Sequence, residues 1–147
     1  MEARFNMAVV EPGAYKAMEG LDDFIANTSV PQLQQELIRI RTSQINGCAY
    51  CVNMHTSDAR KHGESDKRMH LISVWKEAGN IFTEEEQLLL AMTEEITLIH
   101  QHGLSDVLYE KAINVLGKEK TAQVIMTIIG MNAWNRIGVS LKMHPKI

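Results

Sequence analysis

Apolar positions recur along this chain at intervals of three and four residues, and no stretch alternates with period two for long enough to suggest a strand. The pattern is therefore all-α, with about six to seven helices. Pro12 is suited to open a first helix in which Ala14, Ala17, Met18, Leu21, Phe24 and Ile25 form one stripe, and Asn27-Thr28-Ser29 closes it. Pro31 opens a second helix that runs to about Asn46, with Leu33, Leu37 and Ile40 facing inward. Asn46-Gly47 interrupts the pattern, so a third helix begins at about Cys48 and stops at His62-Gly63.

A shorter helix is predicted from Ser65 to Ala78, closed by Gly79-Asn80. Thr83-Glu84-Glu85-Glu86 forms a capping box ahead of Leu88, Leu89, Met92, Ile96 and Ile99, and Gln101-His102-Gly103 ends that fifth helix. Ser105 caps a sixth, which Gly117 terminates after Leu116, and the last helix extends from Lys118 to about Met143. Within it, Val124 to Met131 is apolar on nearly all sides, which calls for deep burial or for a second subunit. A homo-oligomer is expected on that ground. With no linker, low-complexity tract or repeat, residues 1–147 read as a single domain.

A chain of 147 residues can bury a sizeable core without a disulfide staple, so its two cysteines are better read as chemistry than as scaffold. That points to a reducing compartment. The amino-terminal sequence lacks a basic flank followed by an apolar run, and no segment approaches the roughly 18 apolar residues of a membrane span. A soluble, cytoplasmic protein without a membrane partner is expected. Net charge is -3, and the densest basic group, Arg60-Lys61-His62 with Lys67-Arg68, reads as a solvated helix end and not as a nucleic-acid surface.

Both cysteines fall in Gln44-Ile45-Asn46-Gly47-Cys48-Ala49-Tyr50-Cys51-Val52-Asn53-Met54-His55. With Gly47 at the cap, Cys48 and Cys51 occupy the first turn of a helix, where free amide groups and the helix dipole favour a thiolate. Separations of three and four share a helix face, so Cys51 can meet Cys48 on one side and His55 on the other. His55 is placed to accept the Cys51 proton. A thiolate that attacks a peroxide becomes a sulfenic acid, and a second thiol such as Cys48 can condense with it. Glu36 lies on or beside the apolar stripe of its helix, where it either orients His55 or simply pairs with Arg39. The spacing also leaves open a zinc site built from Cys48, Cys51, His55 and Glu36, and it does not say which thiol reacts first. A thioredoxin-like module is disfavoured, because that reading needs a βαβ context.

Three segments together, Glu36-Leu37-Ile38-Arg39-Ile40-Arg41, Ser43-Gln44-Ile45-Asn46-Gly47-Cys48-Ala49-Tyr50-Cys51 and His55, resemble the alkylhydroperoxidase-D-like (AhpD-like) branch of the carboxymuconolactone decarboxylase superfamily. A looser likeness runs from about Gly13 to Val139 and includes Trp75, Ala78-Gly79 and Asn132-Ala133-Trp134-Asn135-Arg136. The resemblance implies an all-helical fold, assembly as trimers or hexamers, and a thiol-dependent peroxidase. It implies that Cys51 attacks the hydroperoxide, Cys48 resolves the product as a disulfide, and His55 with Glu36 relays protons. A dithiol reductant, either a lipoyl carrier or a thioredoxin-like protein, would complete the cycle without a cofactor or metal. Where the best-known peroxidases of the branch carry a histidine between the cysteines, this chain carries Tyr50, and it is shorter. The superfamily name also implies a rival, a lactone decarboxylase that has no need of adjacent thiols, and the residues leave a third reading, a non-catalytic redox sensor or zinc-stabilised module.

Overall fold

The computed structural model describes residues 2–145. Among them the backbone forms helices and turns and no strand. In chain order the helices are α1 (Met7–Val10), α2 (Pro12–Ala26), α3 (Gln32–Asn46), α4 (Ala49–Lys61), α5 (Asp66–Leu71), a 3-10 segment (Ile72–Glu77), α6 (Glu84–Thr97) and α7 (Asp106–Ser140).

The middle of the molecule is α3, which packs against α4, α6 and α7. One side of it, with Ile38, meets Val30, Leu88, Leu89, Met92, Ala112, Val124 and Ile128. The other, with Leu37 and Ile40, meets Ala59, Met69, Ile72, Trp75, Phe82 and Leu90. A helix buried on two sides has little room for polar groups, and most of those on α3 are matched, the Oε1 atoms of Gln34 and Gln35 being the exceptions. Gln35 Nε2, for example, donates to the Ile25 and Val30 carbonyls at 3.0 and 2.9 Å, tying the end of α2 to α3.

The capping signals are realised where the sequence places them. Thr83 and Glu86 form both halves of the capping box on α6, and Ser105 Oγ accepts from Leu108 N–H at the start of α7. Gly117 breaks α7 with φ 77° and ψ 167°, so the helix is two straight pieces joined at the predicted stop. Other boundaries move. Pro31 caps α3 in extended backbone instead of lying in its first turn, and a short α1 precedes the first predicted helix. The helix predicted from Ser65 to Ala78 divides into α5 and the 3-10 segment, with a kink at Val74 (φ -124°, ψ 27°), which lets Ile72 and Trp75 both reach the core. Helix α6 ends at Thr97, where Asn132 Nδ2 donates to the Thr97 hydroxyl. Ile99 therefore leaves the predicted stripe and is 61% exposed.

The apolar run in α7 finds its burial inside the chain. Val124, Thr127, Ile128, Gly130 and Met131 are buried, and Ile129 is the exposed member. Gly130 allows the closest helix approach here, because a Cβ there would meet Ile25 Cδ1 at 2.8 Å. The basic group at the end of α4 is largely neutralised by Arg60–Asp66, Lys61–Asp58 and Arg68–Glu64 ion pairs. Among the described residues, no helix is long and apolar enough to cross a membrane.

Candidate active site

The junction of α3 and α4 places the cysteines. Gly47 adopts the left-handed conformation (φ 68°, ψ 30°), which glycine enters without strain, and the amides of Gly47 and Cys48 return to the carbonyls of Gln44 and Ser43. The next helix starts at once. Cys48 is its N-cap and not, as the spacing suggested, a member of the first turn, and its Sγ accepts from Cys51 N–H at 3.3 Å. Sulfur here takes the part that a serine or aspartate oxygen usually plays. Cys48 and Cys51 are joined as a disulfide, both almost wholly buried.

One turn further along α4, His55 Nδ1 lies 2.8 Å from Glu36 Oε2. The same carboxylate accepts from Arg39 Nη1 and Gln32 Nε2 at its other oxygen, each at 2.8 Å. Burial by itself would raise the Glu36 pKa, but the hydrogen bond from His55 and the positive charges of His55 and Arg39 outweigh it and hold the carboxyl below its ordinary range. An ionised Glu36 is acceptor only. It therefore fixes the hydrogen of a neutral His55 on Nδ1 and leaves the Nε2 lone pair available as a base. The two sequence alternatives for Glu36 are both realised, since it pairs with Arg39 and orients His55.

Cys51, His55, Arg39 and Tyr50 line a cavity of about 880 Å³ between α2, α4 and the end of α7. Its far wall carries Tyr15, Asp22 and Trp134. The Trp134 indole N–H donates to Asp22 Oδ2 at 2.9 Å, and Tyr15 meets the same indole edge to face. Burial pushes the Asp22 carboxyl up, and the Trp134 hydrogen bond and the charges of Arg39 and His55 offset only part of that. The amino-terminal segment from Ala3 to Ala8 covers part of the opening, and Arg4 holds it to α7 through the carbonyls of Leu141 and Ser140.

Sequence reasoning missed two of these positions. Asp22 comes from α2, which has no motif, and its i+4 neighbour on the helix gives no sign of the Trp134 contact across 112 residues. Gly138 is the second: a Cβ there would lie 3.1 Å from Cys48 Sγ and 3.5 Å from Cys51 Sγ, so this glycine lets α7 rest directly on the sulfurs. A glycine inside a helix was the available signal. In this disulfide form the sulfurs are bonded to each other, and Glu36 is taken up by His55, Arg39 and Gln32. Among the described residues, no group of three His, Cys, Asp or Glu side chains converges as metal ligands would.

The sequence pattern of the carboxymuconolactone decarboxylase family matches residues 12–94, which include Glu36, both cysteines and His55. The chain belongs to that family, in its AhpD-like branch. It is similar to an uncharacterised Bacillus subtilis (strain 168) protein, YdfG, with 35% identity over 141 residues, 96% of this chain and 95% of the other. A crystal structure from Agrobacterium tumefaciens superposes with a TM-score of 0.95 at 32% identity, over 99% of both chains. That protein is described as of unknown function and provisionally as the antioxidant defence protein AhpD. A peroxidase-related protein from Ralstonia eutropha JMP134, described by its AhpD core, shares the fold at 15% identity and a TM-score of 0.81. The match covers 95% of this chain and 74% of that one.

Proposed function

We propose that this protein is a thiol peroxidase that reduces a hydroperoxide at Cys51 and stores the two oxidising equivalents as the Cys48–Cys51 disulfide. The observation that carries the reading is that Cys51 and His55 line one cavity, with His55 held by the buried Glu36 carboxylate. In the reduced protein, His55 Nε2 takes the Cys51 proton, and the thiolate attacks the terminal peroxide oxygen. The O–O bond breaks, Cys51 becomes a sulfenic acid, and the proton passes to the departing alkoxide to give an alcohol. The Cys48 thiol then displaces hydroxide from Cys51, which leaves as water with the Cys48 proton. A dithiol donor returns the two electrons, and no bound cofactor is needed.

Two features support the thiol chemistry over lactone decarboxylation. The cysteines are adjacent at a helix start, where a thiolate is stabilised, and the base beside them is a histidine held in one tautomer by a carboxylate. The cavity has room for an organic substrate. The chain is expected to work in the cytoplasm as a homo-oligomer.

The test is mass spectrometry of the reduced protein after one equivalent of cumene hydroperoxide. Loss of two hydrogens per chain, with one equivalent of alcohol released, is expected. Cys51→Ser should abolish both, whereas turnover of a carboxymuconolactone that survives loss of both cysteines would overturn the reading.

A further inference from the structure

We infer that hydroperoxide and reductant reach the disulfide from opposite faces, the reductant being a neutral dithiol that attacks Cys48 Sγ from a groove where α3 passes into α4. The inference rests on the peroxidase reading and assigns the other half of that cycle to a surface of its own.

The two sulfurs border different spaces. Cys51 lines the larger cavity with His55, and Cys48 does not. Cys48 instead lines a shallow, open groove of about 460 Å³, to which Cys51 does not contribute. A third direction is closed, since α7 rests on both sulfurs at Gly138. Thiol–disulfide exchange needs the incoming thiolate to approach along the S–S axis, from behind the sulfur it attacks. From the groove that sulfur is Cys48, and the one expelled is Cys51.

The expelled group is the one the site is built to receive. Cys51 lies within the first turn of α4, near the positive end of its dipole, and leaves as a thiolate one turn from His55. Attack from the cavity would put the new bond on Cys51 and expel Cys48, which lacks the histidine. The walls of the groove, formed by Gln44, Gly47, Ala49, Val52, Asn53 and Thr56, carry no charged side chain. Gly47 leaves open space where a Cβ would stand, so a slender, uncharged arm meets no obstruction.

The step balances. A dithiol thiolate forms a mixed disulfide with Cys48 Sγ while the Cys48–Cys51 bond breaks and Cys51 leaves as a thiolate. The second dithiol sulfur then closes on the first, expelling Cys48. The dithiol loses two electrons and the protein gains them.

The experiment uses full-length protein oxidised with diamide, so that it does not depend on any reaction with hydroperoxide. Reduction by dithiothreitol, a neutral dithiol, is timed by acid quench and mass analysis. Asn53→Trp and, separately, Ala49→Phe fill the groove from exposed helix positions. Each should slow reduction ten-fold or more relative to oxidation by cumene hydroperoxide. With the monothiol 2-mercaptoethanol in place of dithiothreitol, peptide mass mapping after acid quench should find the mixed disulfide on Cys48 and not on Cys51. Equal slowing of both half-reactions, or a mixed disulfide found on Cys51, would overturn the inference. If diamide-oxidised protein behaves as expected but hydroperoxide does not form the disulfide, the peroxidase reading fails and the two-faced arrangement stands.

Discussion

Two arginines two positions apart on α3 grip two carboxylates, and the neighbourhoods of those carboxylates differ in one respect that changes their use. Arg41 reaches Glu94 of α6 at 2.8 and 3.0 Å, and Trp75 Nε1 and Lys76 Nζ complete the shell of that carboxylate at 2.9 and 2.7 Å. Every partner of Glu94 is a donor only, so the cluster is a brace between α3, α6 and the 3-10 segment. Arg39 reaches Glu36, but there the remaining oxygen goes to His55, whose second ring nitrogen can accept or give up a proton and which borders a cavity beside a cysteine. The side chain of Glu36 is 2% exposed and that of Glu94 is 15% exposed. An ion pair becomes a means of handling protons when one member can give its proton up and a reacting atom lies within reach.

The comparison is broken most severely by removing the titratable member. His55→Ala should slow oxidation of the protein by cumene hydroperoxide by about 10²- to 10⁴-fold near neutral pH, with recovery as the pH approaches that of a free thiol. A stopped-flow pH series reads this, and a rate unchanged at pH 7 would make His55 structural.

Next in size is the contrast between the carboxylates themselves. Glu36→Gln keeps the volume but removes the charge that faces Arg39 and holds His55, and it should cost about 2–4 kcal/mol of stability and roughly ten-fold or more in oxidation rate. Glu94→Gln should cost about 1–2 kcal/mol and change the oxidation rate less than two-fold. Urea unfolding together with the oxidation assay separates them; a rate loss in Glu94→Gln matching that of Glu36→Gln would erase the distinction.

Acid should affect both sites in the same direction. Glu94, like Glu36, is held below the ordinary carboxylate range, because its bonds from Lys76, Trp75 and Arg41 outweigh the burial that would raise it. A carboxyl whose folded pKa is depressed contributes its full stability above the unfolded value of about 4.3 and loses it as the pH falls through the folded one. Thermal melts should therefore fall steeply below about pH 4 in the wild type, and less steeply in either glutamine variant.

The smallest effect has the opposite sign. Burial raises the Asp22 pKa, so its ionised form is disfavoured in the folded chain, and that cost appears as the pH rises through the raised value. Asp22→Asn keeps an acceptor for Trp134 and should raise stability at pH 7 by about 1 kcal/mol or less, a gain that fades at low pH. A gain that grew as the pH fell would contradict the assigned direction.

Local signals account for most of what the sequence made legible. Thr83 with Glu86, Ser105, Gly47 and Gly117 each act within one helical turn, and each does in the structure what its chemistry dictates nearby. The Cys48, Cys51 and His55 spacing and the position of Glu36 on the α3 stripe brought the same residues to one place, since an α-helix converts separations of three and four into contact. What stayed hidden depends on distant packing. The kink at Val74 exists because Ile72 and Trp75 must both enter a core built from α3 and α6. The early end of α6 is coupled to Asn132, thirty-five positions away. Asp22 and Gly138 enter the site only once α2 and α7 are laid against α4, and no periodicity encodes that arrangement.

The sulfur cap on α4 makes the protein its own reporter. The amide hydrogen of Cys51 is held by Cys48 Sγ, so the atom that starts the helix is also the atom whose bonding differs between thiol, thiolate and disulfide. Its nuclear magnetic resonance and its exchange with solvent should track the oxidation state of the pair directly, with no label attached and no cysteine consumed.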